Sequence, residues 1–365
     1  MSEIKVNSIK GVGASAAAIT VNNTDGTCTA NLTNRTNKNL VVNGACLVSQ
    51  RGTSSTTNGY ATVDRFKVSY SGTDEAPTQS QATISSGTTP YELGFRKSLK
   101  ITNGNQTSGA GAADFITYAY RIEAQDMAGS GWNYKSTSSF ISFSFYIKSS
   151  VAQSFGGFLR THDGSQMTFP FETGSLSADT WTKITRVISG NGAIGFSDDN
   201  GTGLEIIIGA YWGTDYTSSS KTLDAWSSYS NDSRLKDFPA STWYTTNDAT
   251  LEITGLQVEV SDHVTDFEHR SIGQELALCQ RYYYKQASIF YGFFGYGTNS
   301  GTNQMGNLIR PVEMRAQATV TMTAGSYWAS GPTAGGNGPF YSYAYGTTNS
   351  SNGANLINYE LSAEL

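Results

Sequence analysis

Between Asn39 and Val260 the chain is written in short runs in which apolar and polar positions alternate. "DRFKVSY", "KSLKIT", "FITYAYRIE", "SFISFSFYIKS", "TKITRVIS" and "GLEIIIGAYW" are the clearest. A period of two sends successive side chains to opposite faces, so each run reads as a strand with one buried face. Gly, Ser and Asn clusters bound each run, as turn chemistry requires. About ten such runs over ~230 residues, with no helical period among them, predict an all-β fold. The arrangement expected is a jelly-roll β-sandwich spanning residues 39–270.

Three segments depart from this pattern. In residues 1–38, "AITVNNTDGTCTANL" alternates Ile19 and Val21 with Cys28, Ala30 and Leu32 around Asp25-Gly26, a hairpin signal. So few large apolar groups cannot form a core alone, and the segment is expected to fold against a partner or its own copies. In "FEHRSIGQELALCQRYYYKQ", Ser271 and Gln274 have capping-box spacing, and Ile272, Leu276, Cys279 and Tyr283 recur at helical spacing. One short connecting helix is predicted over 271–285, with that stripe packed on the sandwich. Residues 286–365 then form a Tyr/Gly-rich C-terminal β domain, short enough that oligomer contacts should complete it.

Composition sharpens the picture. The 365 residues include 39 Gly and only 7 Pro, and charged residues make up 15%. The aromatic share is 12%, with 21 Tyr, so a polar-looking chain still has large side chains to pack. The net charge of −5 and the lack of a basic block argue against a nucleic-acid partner. Cys28, Cys46 and Cys279 are odd in number and widely spaced, which fits neither a disulfide framework nor a zinc site. "MSEIKVNSIK" has no apolar core, so no signal peptide is expected, and no run reaches membrane-spanning length.

Catalytic constellations are poor. Gly190, Gly192 and Gly195 in "GNGAIG" match a dinucleotide fingerprint, but "FSDDNGTGLEIII" supplies a loop and a strand where the phosphate-binding helix should start. His162, His263 and His269 do not form HExxH, and no GxSxG elbow exists. His269, between Glu268 and Arg270, reads as a surface or packing residue. Asp198 and Asn200 in "DDNGTG" are weak calcium candidates, since Gly209 stands where a calcium loop needs its bidentate Glu. An Asx-type turn is the plainer reading. No enzyme activity and no cofactor are expected.

Aromatics set in polar loops are the remaining signal. Trp212 and Trp226 lie in "GAYWGTDY" and "AWSSYS", and Trp328, Tyr341, Tyr343 and Tyr345 lie near the end. Flat rings beside Asn, Asp and Ser suit the apolar face and hydroxyls of a sugar, and core packing is the competing reading. Alternation puts Tyr341, Tyr343 and Tyr345 on one face and Phe340 on the other. That row is either trimer core or exposed platform. Buried hydroxyls would need partners, which favours the platform.

"NLVVNGACLVSQRGTSSTTNGYATVDRF", "TSSFISFSFYIKSSVAQSFGGFL", "SADTWTKITRVISG", "SDDNGTGLEIII" and "LQVEVSDHVTDFEHRSIGQELALCQRYYYK" resemble, in order, the jelly-roll part of tail fibres of marine bacteriophages, cyanophages especially. "EIKVNSIKGVGASAAAITVNNTDGTCTA" is similar to the segment joining such fibres to the virion, and "IRPVEMRAQATVTM" to the opening strand of their terminal domain. The resemblance implies a homotrimeric fibre made in the host cytoplasm and built into the virion. Residues 1–38 would attach to the tail or an adaptor protein. The jelly roll, similar to carbohydrate-binding modules, and the C-terminal domain would face a host-surface glycan, without membrane insertion. A head or neck decoration fibre with weak adhesion and a surface-polysaccharide depolymerase are the rival expectations.

Overall fold

A computed structural model describes residues 6–10, 12, 19–21, 24, 28–30, 37–237, 240–286, 303–326, 328–336, 339, 342–347 and 356–365. Its centre is the expected jelly-roll sandwich, built from two six-stranded antiparallel sheets. The first runs Ser227–Ser228, Met167–Ser175, Ser154–Thr161, Thr202–Trp212, Phe115–Glu123, Phe66–Ser71. The second runs Thr182–Ser189, Phe140–Ser149, Thr250–Val260, Lys97–Thr102, Thr78–Thr83, Ser54–Ser55.

Alternation decides which side chains meet between the sheets. Ile116, Tyr118, Tyr120 and Ile122 point inward from one sheet, and Ile141, Phe143, Phe145 and Ile147 from the other, all within one continuous core. Two of these carry hydroxyls, which must find partners in an apolar interior. Tyr118 reaches across into the second sheet, where its oxygen accepts the Ile101 N–H at 3.0 Å and donates to the Leu251 carbonyl. The Tyr120 hydroxyl accepts the Val42 N–H at 2.7 Å and donates to the Val42 carbonyl at 3.0 Å. Each tyrosine therefore ties an apolar layer to a fixed backbone register.

The predicted hairpin forms outside the sandwich, pairing Ile19 with Ala30 and Val21 with Cys28, and Ser8–Ile9 adds a third strand. The capping box also forms. Ser271 Oγ accepts the Gln274 N–H at 3.3 Å, and Gln274 Oε1 accepts the Ser271 N–H at 3.1 Å. The face of the helix differs from expectation. It spans Ile272–Gln280, its buried residues are Glu275 and Cys279, Leu276 is half-buried, and Ile272 is 60% exposed. The cause is a polar contact: Glu275 Oε2 accepts the buried Asn43 N–H at 2.6 Å, and Oε1 lies 3.4 Å from Arg270. That bond turns the helix away from the stripe its apolar residues suggest.

Tyr283, expected on the helix, begins a strand instead. Tyr283–Gln286 pairs with Leu356–Ser362, which pairs with Thr319–Ala324. Asn303–Leu308, Ser342–Thr347 and Thr333–Gly335 form the other small sheet. Leu308, Met314, Ala344, Leu356, Tyr359 and Leu361 fill the core of this C-terminal domain.

The domain is locked to the sandwich by buried ions. Arg65, 1% exposed, donates to Glu364 Oε2 at 2.5 Å and lies over the Tyr282 ring at 3.4 Å. Arg51 reaches the other Glu364 oxygen at 3.1 Å and covers Tyr283 at 3.5 Å. Glu123 accepts from Arg281 at 3.0 Å and from the Tyr282 hydroxyl at 2.6 Å. Burial opposes the Arg65 charge, but Glu364 together with the Tyr120, Tyr282 and Tyr60 hydroxyls outweighs it and raises the pKa. Glu364→Gln leaves two buried guanidiniums facing a neutral amide, at a cost of roughly 3 kcal/mol. Calorimetry should then show the C-terminal domain melting ahead of the sandwich, and a single unshifted transition would mean the clamp is dispensable.

Candidate functional site

The outer face of the second sheet holds an aromatic cleft. On Phe140–Ser149 the outward positions include Ser144 and Tyr146, and register places Lys183 beside Tyr146 on the edge strand. Opposite, the pairing of Thr250–Val260 slips between Thr254 and Gln257, and Gly255 sits in that bulge at φ +67°. Only glycine suits the position, because a Cβ there would lie 2.8 Å from Phe95 and 3.2 Å from Tyr146. Leu93 and Phe95 form one wall, and Asp266, Phe267 and His269 form another around a cleft of about 210 Å³.

Ring packing fixes the geometry. Phe95 stands 4.8 Å from Phe267, 4.9 Å from His269 and 5.6 Å from Tyr146, all at steep interplanar angles. His269 Nε2 donates to the Leu93 carbonyl at 2.9 Å, which orients the imidazole. Burial, and then the Asp266 carboxylate, push the Tyr146 hydroxyl pKa up, so it stays protonated as a donor. Apolar ring faces thus lie beside Ser144, Lys183, Asp266 and a phenol, a mixture suited to a polyhydroxylated ring. The volume is below the roughly 300–1,000 Å³ of a pocket for a drug-sized ligand, so the cleft would take one ring of a longer chain.

Among the described residues, none of the aromatics singled out in the sequence lines this cleft. Trp212 is a correction: it is 5% exposed, packs with Phe115, Phe158 and Tyr216, and donates its indole N–H to the Gly156 carbonyl at 3.2 Å. Residues following it, through Tyr229 and Leu235, fold over the outer face of the first sheet and bury it. Trp226 is half-buried against Phe169 and donates to the Ser189 carbonyl at 2.9 Å. Tyr341 lies outside the described residues. Tyr343 and Tyr345 do share the outward face of Ser342–Thr347, with centroids 5.9 Å apart, and Tyr345 is 42% exposed. Trp328 is half-buried against the C-terminal core.

The "DDNGTG" segment makes an Asx turn, with Asp199 Oδ1 accepting the Gly201 N–H at 2.8 Å. Asn200 donates its amide to the Arg315 carbonyl at 2.7 Å, while Asp198 stands exposed. Among the described residues, no three His, Cys, Asp or Glu side chains gather as metal ligands. The cleft residues were harder to find in sequence. Their one local signal is Phe267 and His269 alternating around Glu268, whose carboxylate faces the other way and accepts the Asn39 N–H at 2.8 Å.

The first sheet's outer face carries charge beyond its covered end. Arg160, Glu205 and Arg121 stand in register on three adjacent strands. Glu205 accepts from Arg121 Nε at 2.8 Å and from His162 Nε2 at 3.0 Å, and Arg160 Nη1 is 4.0 Å away. Burial pushes the Glu205 carboxyl up, but the His162 and Arg121 contacts outweigh it and hold the pKa at about 2.

This architecture defines the chain as an antiparallel jelly-roll β-sandwich protein. No family model matches it, and neither does any curated protein. Solved structures similar to it include the enzymatically active domain of tailspike protein 4 of bacteriophage CBA120. That domain is 11% identical over 61% of this chain and 21% of its own, at a TM-score of 0.33. The N-terminal cellulose-binding domain of Cellulomonas fimi β-1,4-glucanase C is 10% identical over 60% of this chain and 100% of its own, at 0.29. The family 11 carbohydrate-binding module of Clostridium thermocellum, solved with a mixed-linked tetrasaccharide, is 11% identical over 58% and 96%, at 0.25. This chain spans about a fifth of the tailspike chain's length. None of them assigns a residue here to a ligand.

The depressed Glu205 pKa has a consequence for stability. A carboxylate held at about 2 in the folded chain, against an ordinary 4.5, contributes stability that is complete above 4.5 and lost as pH falls towards 2. Glu205→Gln should flatten this part of the stability-versus-pH curve in urea titrations. An unaltered slope would place the acid sensitivity elsewhere.

Proposed function

We propose that the chain is a bacteriophage tail fibre, a non-enzymatic structural protein of the virion, which adsorbs to a host-surface glycan through the Phe95–Tyr146–Phe267–His269 cleft. The observation that carries this reading is the cleft itself. Phe267 and His269 stand partly open to solvent, held rigidly against the buried Phe95 and Tyr146 rings, with hydroxyl-compatible groups at their edges. Rigid aromatic surface costs little conformational entropy on binding, which suits weak individual sugar contacts. In a homotrimer attached through residues 1–38, three such clefts would engage one surface together, and linked sites can gain ~10²–10⁴ over a single one. Asp266 is the carboxylate among the cleft's lining residues, whereas glycoside hydrolysis ordinarily uses two, so binding is the better reading than depolymerisation.

The test is calorimetric titration of the full chain with neutral oligosaccharides from host-surface polysaccharide. Tyr146→Ala and Phe267→Ala should each weaken binding by about tenfold, the loss of one ring contact with its desolvation. Tyr343→Ala with Tyr345→Ala should leave it intact. The reverse pattern moves the site to the C-terminal tyrosines, and new reducing ends during incubation would make the chain an enzyme. Light scattering at micromolar concentration should give three times the monomer mass, and a stable monomer would remove the fibre reading.

A further inference from the structure

The charged face of the first sheet is poorly balanced. Lys67, Arg121 and Arg160 project from the same side of three strands, with His162 beside them, and the carboxylate they share is Glu205. In a chain whose net charge is −5, this is a local excess of positive charge. Glu205 is 4% exposed at its side chain and is already engaged by Arg121 and His162, so it cannot neutralise the remainder. Among the described residues, neither Lys67 Nζ nor the Nη atoms of Arg121 have an acceptor within hydrogen-bond distance. Burial, and then the nearby Arg121 charge, lower the Lys67 pKa, and the Glu205 charge offsets them only in part.

The cations are also held in place. The Arg160 guanidinium lies over the Tyr229 ring at 3.7 Å and donates to Gln166 Oε1 at 2.8 Å. Arg121 is anchored through Nε to Glu205, which leaves its forked Nη edge free for a planar anion. The backbones bearing Arg160 and Arg121 are two strand spacings apart, roughly 10 Å. The side chains of Arg121, Arg160 and His162 are 20–25% exposed, so the groups are reachable and yet positioned.

We propose that this face is a second binding site, selective for carboxylate or sulfate groups on an acidic polysaccharide, with Lys67, Arg121 and Arg160 as the contacting cations. It is distinct from the aromatic cleft, which lies on the other sheet, and it does not depend on the cleft binding sugar. Pre-positioned charge-assisted hydrogen bonds to an anion are stronger than neutral ones, and bidentate contacts add selectivity.

The experiment uses the full chain and three soluble polymers: a sulfated galactan, polygalacturonate and neutral dextran. Affinity electrophoresis at low and near-physiological salt should show retardation by at least one anionic polymer, weakened but not abolished by salt, and none by dextran at this face. Retardation by the galactan alone identifies sulfate esters, and retardation by both extends the site to carboxylates. Lys67→Gln together with Arg121→Gln should lower the affinity by about tenfold or more, the worth of one charged hydrogen bond. Lys67→Glu, which leaves the Arg121–Glu205 contact intact, should lower it too while keeping the melting temperature. Both variants should keep neutral-sugar binding at the cleft, and Tyr146→Ala should keep the anionic binding. Anionic polymers that bind no better than dextran, or a Lys67→Glu chain that binds like the unaltered one, would overturn the proposal.

Discussion

Every strand of an antiparallel sandwich has two faces, and only one of them can look into the core. That constraint shapes the rest of this molecule. Nine of the twelve strands send apolar residues into the core, and two outer faces remain to be covered, charged or used. The chain treats the two differently. On the first sheet, residues from Trp212 to Leu235 cover one end, and cations ring Glu205 beyond it. On the second, a bulge at Gly255 opens room for Phe95 and Tyr146, and the strip from Asp266 to His269 closes the side. Both candidate sites are therefore products of the same accounting of faces.

The inward face is where sequence reads most directly. "SFISFSFYIKS" alternates without interruption, and Phe140–Ser149 follows it with Ile141, Phe143, Phe145 and Ile147 inside. The Ser271–Gln274 box was equally legible, because both partners lie within one turn. The helix face was not. It is set by Glu275 holding the N–H of Asn43, a partner 232 residues away, and no local pattern carries that information.

The outer faces are harder for the same reason. Trp212 sits in "GAYWGTDY", which reads as a polar loop, yet the chain following it folds back over the indole. Composition cannot distinguish a ring displayed to solvent from one awaiting its cover. The cleft has the opposite history. Leu93, Tyr146, Lys183, Gly255 and His269 come from five separate stretches, so the site exists only once the sheet register is fixed. Tyr343 and Tyr345 fall between these cases, since strand alternation alone puts them on one side of a short strand.

The junction of the two domains has one more property. Tyr282 and Ala363, which flank the C-terminal domain in sequence, meet there, with the Ala363 N–H donating to the Tyr282 carbonyl at 2.7 Å. Strand Tyr283–Gln286 leaves this point and strand Leu356–Ser362 returns to it, paired side by side. A domain that departs and comes back through one gate can be exchanged as a cassette, with the sandwich undisturbed, if its replacement spans the same short gap. Tyr282, Tyr283 and Glu364 form the socket such a cassette must fit, and the arginines waiting there belong to the sandwich. Sequence variation within the C-terminal domain is thereby uncoupled from the stability of the sandwich.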